Sequence, residues 1–342
     1  MKKFNLFVLL LLISTKAFSQ QLHTPAEIIK MMIDSKTSYE YSILDSVIKC
    51  SDYSNNLNEY YKYRIKNDSG LVTHIFSPNE QAAIYYAKAE KAFQSNDNDS
   101  ALVYYMMTIK ADSSLSNVMA YIGQIYYGRK DYDKAILWCK KAIDKNFIDF
   151  MAHWFLADAY FARHSVQDLK NAVDEVTIAQ ILNRNNPRIK KSMKDIFEVA
   201  DRNTEDWCFN PQMKHHRISD SKVSVSSAKE WIVYAMAKAL WEYEPGYRES
   251  MGVTKGKHSN LEDKECLLPL IMSIDKSKKE NKKEYEDLQF KILLEATENK
   301  HIDEYIFYEI LLPEHPSIVN QLPDEVILKI KDYILNIRHK KI

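Results

Sequence analysis

A stretch of this chain repeats itself every 34 residues, and that constrains the fold more than any other feature. When Ala82 to Leu115 is set above Ser116 to Asp149, Ala89 falls over Gly123 and Ala101 over Ala135, so small residues recur at a spacing of 34. Tyr105 precedes the short Thr108 by three places, as Cys139 precedes Ala142. A third copy begins at Phe150: Ala157 takes the Ala89 position, Tyr160 the Tyr126 position, and Ala172 the Ala135 position after an insertion of three residues placed around His164 to Gln167. A period of this length is the mark of stacked helical hairpins, none of which buries its apolar face alone. The small residues let paired helix axes approach, and Tyr85, Tyr126, Tyr132, Phe155 and Tyr160 are expected to fill the space between hairpins.

The residues that carry the repeat, Gly123, Tyr126, Tyr132, Ala135 and Ala142 in YIGQIYYGRKDYDKAILWCKKAI, closely resemble the tetratricopeptide repeat (TPR). The resemblance implies an α-solenoid of about three hairpins over residues 81–200, closed by a capping helix from Ile189 to Ala200. It also implies an extended or helical peptide bound along the concave surface lined by the first helix of each hairpin. Carried across, that frame picks out Tyr86, Glu90 and Phe93, then Gln124 and Tyr127, then Trp154, Asp158 and Phe161. Such a groove is aromatic and acidic. It lacks the Lys and Arg set with which chaperone-binding TPR domains clamp a C-terminal carboxylate, which disfavours that ligand. The competing reading is that the flanking segments fill the groove and turn these aromatics into core.

The rest of the chain is organised around the array. At 342 residues it exceeds a single hydrophobic core. Only six glycines and little β-branched alternation point to an all-α protein, with an N-terminal helical flank over 20–80 and a C-terminal helical module over 201–342. Residues 1–19 read as a signal peptide: Lys2 and Lys3, the apolar run Leu6 to Ile13, then Ala17-Phe18-Ser19. The run is too short to span a bilayer, so export to the periplasm or the medium is expected, with no stable membrane insertion after cleavage. Cleavage leaves 44 basic side chains against 47 acidic, which lacks the electrostatic footprint of a nucleic-acid binder. Cys50, Cys139, Cys208 and Cys266 survive cleavage without a recognisable disulfide framework, and a Cys208–Cys266 bridge is one open pairing.

In the flanks, Thr24-Pro25-Ala26-Glu27 predicts a capping box and a helix, with a second helix over Tyr39 to Cys50 and a brief extended stretch at Leu71 to Phe76. Arg202 to Val225 is irregular, with an alternation at Ile218, Val223 and Val225 that fits a strand or an extended linker. Ser227 with Glu230 predicts another capping box, before a helix from Trp231 to Trp241 that is apolar almost all round and therefore buried. Helices are expected over Glu284 to Glu298, Ile302 to Leu312 and Asp324 to Arg338.

Reactive chemistry is sparse. Gly123 to Lys130 superficially resembles a phosphate loop, but its lysine is one place late and no Ser or Thr follows, so nucleotide binding is excluded. Asp206, Cys208, His215, His216 and Asp220 share one irregular segment, yet adjacent histidines on extended backbone point opposite ways and ligate poorly together. Glu242, Glu244 and Glu249 sit at a helix end, where carboxylates are usually solvated. No catalytic residue, metal or cofactor is assigned. The sequence favours a non-enzymatic interaction or scaffolding module of the cell envelope whose partner is a protein or peptide. The alternatives are a glycan-binding protein and an enzyme with its site in 202–248.

Overall fold

The computed structural model describes residues 22–58, 62–67, 70–254, 259–280 and 286–342. The signal peptide expected over 1–19 lies outside the described residues. The chain forms two compact units, each assembled from separated stretches: one from Asp52–Asp206 and Phe307–Ile342, the other from the residues through Ser51 and Trp207–Ile306. A serial division at residues 80 and 200 therefore differs from how the chain packs, because each terminal flank is shared between the units.

The first unit contains the array. Its helices are α2 (Glu80–Gln94), α3 (Asn98–Ala111), α4 (Ser116–Gly128), α5 (Tyr132–Lys145), α6 (Phe150–Arg163), α7 (Val166–Leu182) and α8 (Pro187–Val199). The hairpins repeat down to their turns. Asn96, Lys130 and His164, each 34 residues after the last, hold positive φ of 59, 60 and 59°. The residue following each, Asp97, Asp131 or Ser165, accepts a backbone N–H of the next helix and caps it. Ala89, Ala101, Ala135, Ala157 and Ala172 are fully buried, as the spacing demands. At Gly123 a Cβ would meet Cys139 Sγ at 2.5 Å and the Ala135 carbonyl oxygen at 3.2 Å, so only glycine lets α4 lie this close to α5. The three inserted residues are not in the turn. His164 and Ser165 keep the register of the earlier hairpins, while α7 runs 17 residues against 14 for α5, so the extra residues lengthen the helix. A helix absorbs three residues as nearly one more turn.

The ends of this unit are held by polar ties. Strands β2 (Lys62–Asn67) and β3 (Gly70–Ile75) pair antiparallel, which extends the stretch expected at Leu71 to Phe76 into a hairpin. The C-terminal helix Asp324–Tyr333 packs on α7. Beyond it Arg338 is buried: its Nε lies 3.1 Å from a Glu309 carboxylate that also accepts from the Tyr333 hydroxyl at 2.9 Å.

In the second unit, α1 (Pro25–Asp34) starts with the capping box formed in both directions between Thr24 and Glu27. The helix expected over Tyr39 to Cys50 is absent. Ser38–Ile43 is instead strand β1, because its alternating Tyr39 and Tyr41 line up beside Val223 and Val225 of β5 (Lys222–Ser227) in a parallel pair. Strand β4 (Met213–Ser219) pairs antiparallel on the other side of β5, giving the order β1-β5-β4. The alternation at Val223 and Val225 is thus a strand, and the C-terminal module is not purely helical. Helix α9 (Ile232–Tyr243) covers the sheet through Ala235 and Ala239. It is buried on several sides, at Tyr234, Ala237, Leu240 and Trp241 among others. The second capping box does not form: Ser227 ends β5, its hydroxyl donates to the Ala228 carbonyl, and a 3-10 turn over Lys229–Trp231 leads into the helix. Helices α10 (Tyr247–Ser250), α11 (Asn260–Lys279) and α12 (Leu288–Glu298) follow. Cys208 bonds to Cys50 and not to Cys266, which is buried as a free thiol like Cys139.

Candidate functional site

The first helices of the hairpins define a common face. Helix α4 lies against α6 and α6 against α8, so α8 continues the series of first helices and does more than cap it. At one repeat position stand Glu90, Gln124, Asp158 and Ser192, each 34 residues from the last. At the position one turn later stand Phe93, Tyr127, Phe161 and Asp195. All eight residues expected to line the groove are at least partly accessible, Tyr127 the most so at 38%.

The structure sorts them into two groups. On α2, the Glu90 carboxylate accepts from the buried Tyr105 hydroxyl at 2.5 Å, which turns it toward its own hairpin. Tyr86 and Phe93 pack against the core of the first two hairpins, with the Tyr86 and Tyr105 rings 6.3 Å apart. Gln124 is half-buried on α4. On α6, Trp154, Asp158 and Phe161 follow at i, i+4 and i+7 and so share one stripe. The Trp154 indole donates to Ser192 Oγ at 3.0 Å, and the Ser192 hydroxyl donates to Asp158 Oδ1 at 3.0 Å. One serine of α8 thereby fixes both groups.

Burial holds the Asp158 carboxyl up at about 6; the Ser192 hydrogen bond works against this and the charge of Asp195 adds to it. Tyr127 is coupled to the same group: burial first, then the Asp158 charge, raises its phenol. Among the described residues no cationic side chain pairs with Asp158, whereas Asp168 is held by Arg163, Asp174 by Lys331 and Asp195 by Lys191. Ser192 was missed by sequence reasoning because α8 reads as a cap. The signal was present, since Ser192 lies one 34-residue step beyond Asp158.

The other constellations are occupied by structure. Asp206 pairs with Lys190, Cys208 is in the disulfide, and His215 Nδ1 lies 3.0 Å from the Tyr243 hydroxyl. Burial depresses His215, and its neighbour His216 faces the opposite side of β4. Among the described residues no group of three His, Cys, Asp or Glu is placed to hold a metal ion. Glu244 accepts from Ser35 at 2.6 Å and Tyr39 at 2.8 Å, and Glu242 pairs with Arg248 at 3.5 Å. A buried cluster that the sequence did not reveal lies at the start of α11. Glu265 accepts from Trp241 and Tyr247 at 2.7 Å and from the His23 backbone at 2.8 Å, and Lys238 sits between Glu262 and Asp263. Matched donors and acceptors make this a structural tie.

No protein-family model and no curated protein matches the chain. Solved structures similar to it include the first TPR domain of Spaghetti (RPAP3) bound to an HSP90 peptide, 21% identical over 35% of this chain and 94% of that one, at a TM-score of 0.33. The TPR domain of Arabidopsis OM64 is 17% identical over 35% of this chain and 97% of that one, at 0.32. The MamA protein is 16% identical over 58% of this chain and 95% of that one, also at 0.32. With its 34-residue period, repeated turns and small residues at every helix crossing, the segment Glu80–Val199 has a TPR-like solenoid fold.

Proposed function

We propose that this protein is a non-enzymatic interaction module that binds a peptide or protein segment along the first-helix face of its array. The observation that supports this most directly is the half-buried stripe of Trp154, Asp158 and Phe161 beside Tyr127, an accessible aromatic surface built around a carboxylate with no countercharge among the described residues. Aromatic side chains at the centre of a contact dominate interface energies. Binding without catalysis is favoured because the groups of 202–248 best suited to chemistry are engaged: Cys208 in a disulfide, Glu242 with Arg248, Glu244 with Tyr39 and His215 with Tyr243. The near-neutral charge balance speaks against a nucleic-acid partner, and among the described residues no helix is long and apolar enough to cross a membrane.

The test is a photo-reactive benzoylphenylalanine placed at Tyr127 or, as a control, at Val103, which is exposed on α3. Irradiation in the native host should give a protein adduct from position 127 that position 103 does not give. The same adducts from both positions, or none from 127, would refute the assignment. We further propose that the protein acts in the periplasm or outside the cell; the Cys50–Cys208 bridge supports this, since such bonds persist in oxidising compartments. N-terminal sequencing of the mature protein should begin at Gln20 or within a residue or two, and an intact Met1 would overturn the export claim.

A further inference from the structure

The α6 stripe carries an electrostatic demand that the described residues do not meet. Asp158 is half-buried between α6 and α8 and receives one hydrogen bond, from Ser192, and no cation among the described residues. The lysines of α8 are engaged elsewhere: Lys190 with Asp206, Lys191 with Asp195 and Lys194 with Glu198. Withdrawing a carboxylate from water without a countercharge is costly, and a carboxyl perturbed in this way beside an accessible surface is a signature of a binding site. Its surroundings are aromatic. Trp154 and Phe161 flank it one turn away on either side, and Tyr127 of α4 is near enough to feel its charge. Ring faces attract cations, so the same surface that repels an acidic peptide suits an ammonium or guanidinium head.

We propose that the segment bound on this face presents a lysine or arginine whose head group is received by the Asp158 carboxylate among Trp154, Phe161 and Tyr127, with Ser192 as the positioning residue that holds carboxylate and indole in place. This rests on the reading that the face takes a peptide, and it commits the partner to a cationic anchor. Charge complementarity selects that occupant over a free C-terminal carboxylate.

A random dodecapeptide phage library panned against the full mature chain separates the two levels of the argument. Binders are kept only if they cross-link to benzoylphenylalanine at position 127. The expected result is enrichment of Lys or Arg at one fixed position. For the best such peptide, Asp158→Asn should weaken binding roughly tenfold or more, as should replacing the anchor by norleucine, while the two changes together should cost little beyond either alone. A merely structural role for Asp158 would leave the two losses additive. Ser192→Ala should cost about three- to tenfold, through loss of one positioning hydrogen bond. Captured peptides without a cationic anchor, or an anchored peptide indifferent to Asp158→Asn, would overturn this inference and leave the groove reading standing. If no peptide cross-links from position 127, both fall.

Discussion

At Gly123 and Asp158 single atoms decide what the array can tolerate. A side chain on Gly123 must enter space held by Cys139 Sγ and the Ala135 carbonyl, both on a helix whose neighbours fix it. Gly123→Leu should cost about 1–3 kcal/mol by overpacking, and the damage in the middle hairpin should reach both ends, because a solenoid's stability is a sum of neighbour terms. Thermal melting followed by circular dichroism should show a drop of several degrees; an unchanged midpoint would mean that α4 and α5 are not packed this closely. Asp158 works in the opposite sense. Its folded carboxyl is held at about 6, above the ordinary value of 3.8, so the folded state binds the proton more readily than the unfolded one. Stability from this group is therefore present below pH 3.8 and lost as pH rises through about 6. Asp158→Asn should stabilise the protein at pH 8 by on the order of 2 kcal/mol, with the gain shrinking toward pH 4. Melting at both pH values checks this, and a variant less stable at pH 8 would show that the charge has an unrecognised partner. A substitution that raises stability while weakening binding is the signature of a residue kept for function.

Among the elements, legibility followed the range of their contacts. Each hairpin of the array closes on residues next to it in sequence, so a 34-residue comparison was enough to place α2 to α7 and the α6 stripe. Strand β1 was misread as helix because the partner that makes Ser38–Ile43 a strand is β5, far along the chain, and its own six residues carry no turn signal that announces it. The inserted residues of the third hairpin were assigned to the turn because the alignment could not tell a longer loop from a longer helix; the cap at Ser165 settles it. Ser192 and Glu265 escaped for a related reason: a single polar residue gains its role from what folding brings to it. Glu265 illustrates the consequence. It ties α1 to the rest of its unit through the His23 backbone and ring while accepting from Trp241 and Tyr247. Glu265→Ala would strand the buried Trp241 indole N–H and remove the acceptor of the His23 backbone N–H, at a cost of about 1–3 kcal/mol. Amide exchange should then accelerate at Thr24 to Ile28 before it does in α12. If α1 stays as protected as α12, the tie is not what secures the N-terminal segment.

Over the whole molecule, the chain path gives the disulfide a particular place. The chain leaves one compact unit after Ser51 and returns to it at Trp207, and Cys50 and Cys208 stand beside those two points. The bridge thus closes a loop that contains the entire array, with a sequence separation of 158. In the chain-entropy picture a loop of that size removes about 5 kcal/mol of freedom from the unfolded state, much of the stability of an ordinary domain. Cys50→Ser together with Cys208→Ser should lower the denaturation midpoint accordingly, and reducing the wild-type chain should do the same. The thiols provide an independent count. Cys139 and Cys266 are buried and free, and burial pushes both thiols up, so neither should react with a thiol reagent while the protein is folded. Unfolding without reductant should expose two reactive thiols, and unfolding with reductant four. If protein taken from its native host releases four thiols without reductant, the bridge does not form where the protein works. The structural support for an oxidising compartment would then be gone, while the TPR-like array and its first-helix face, which need no disulfide, would be untouched.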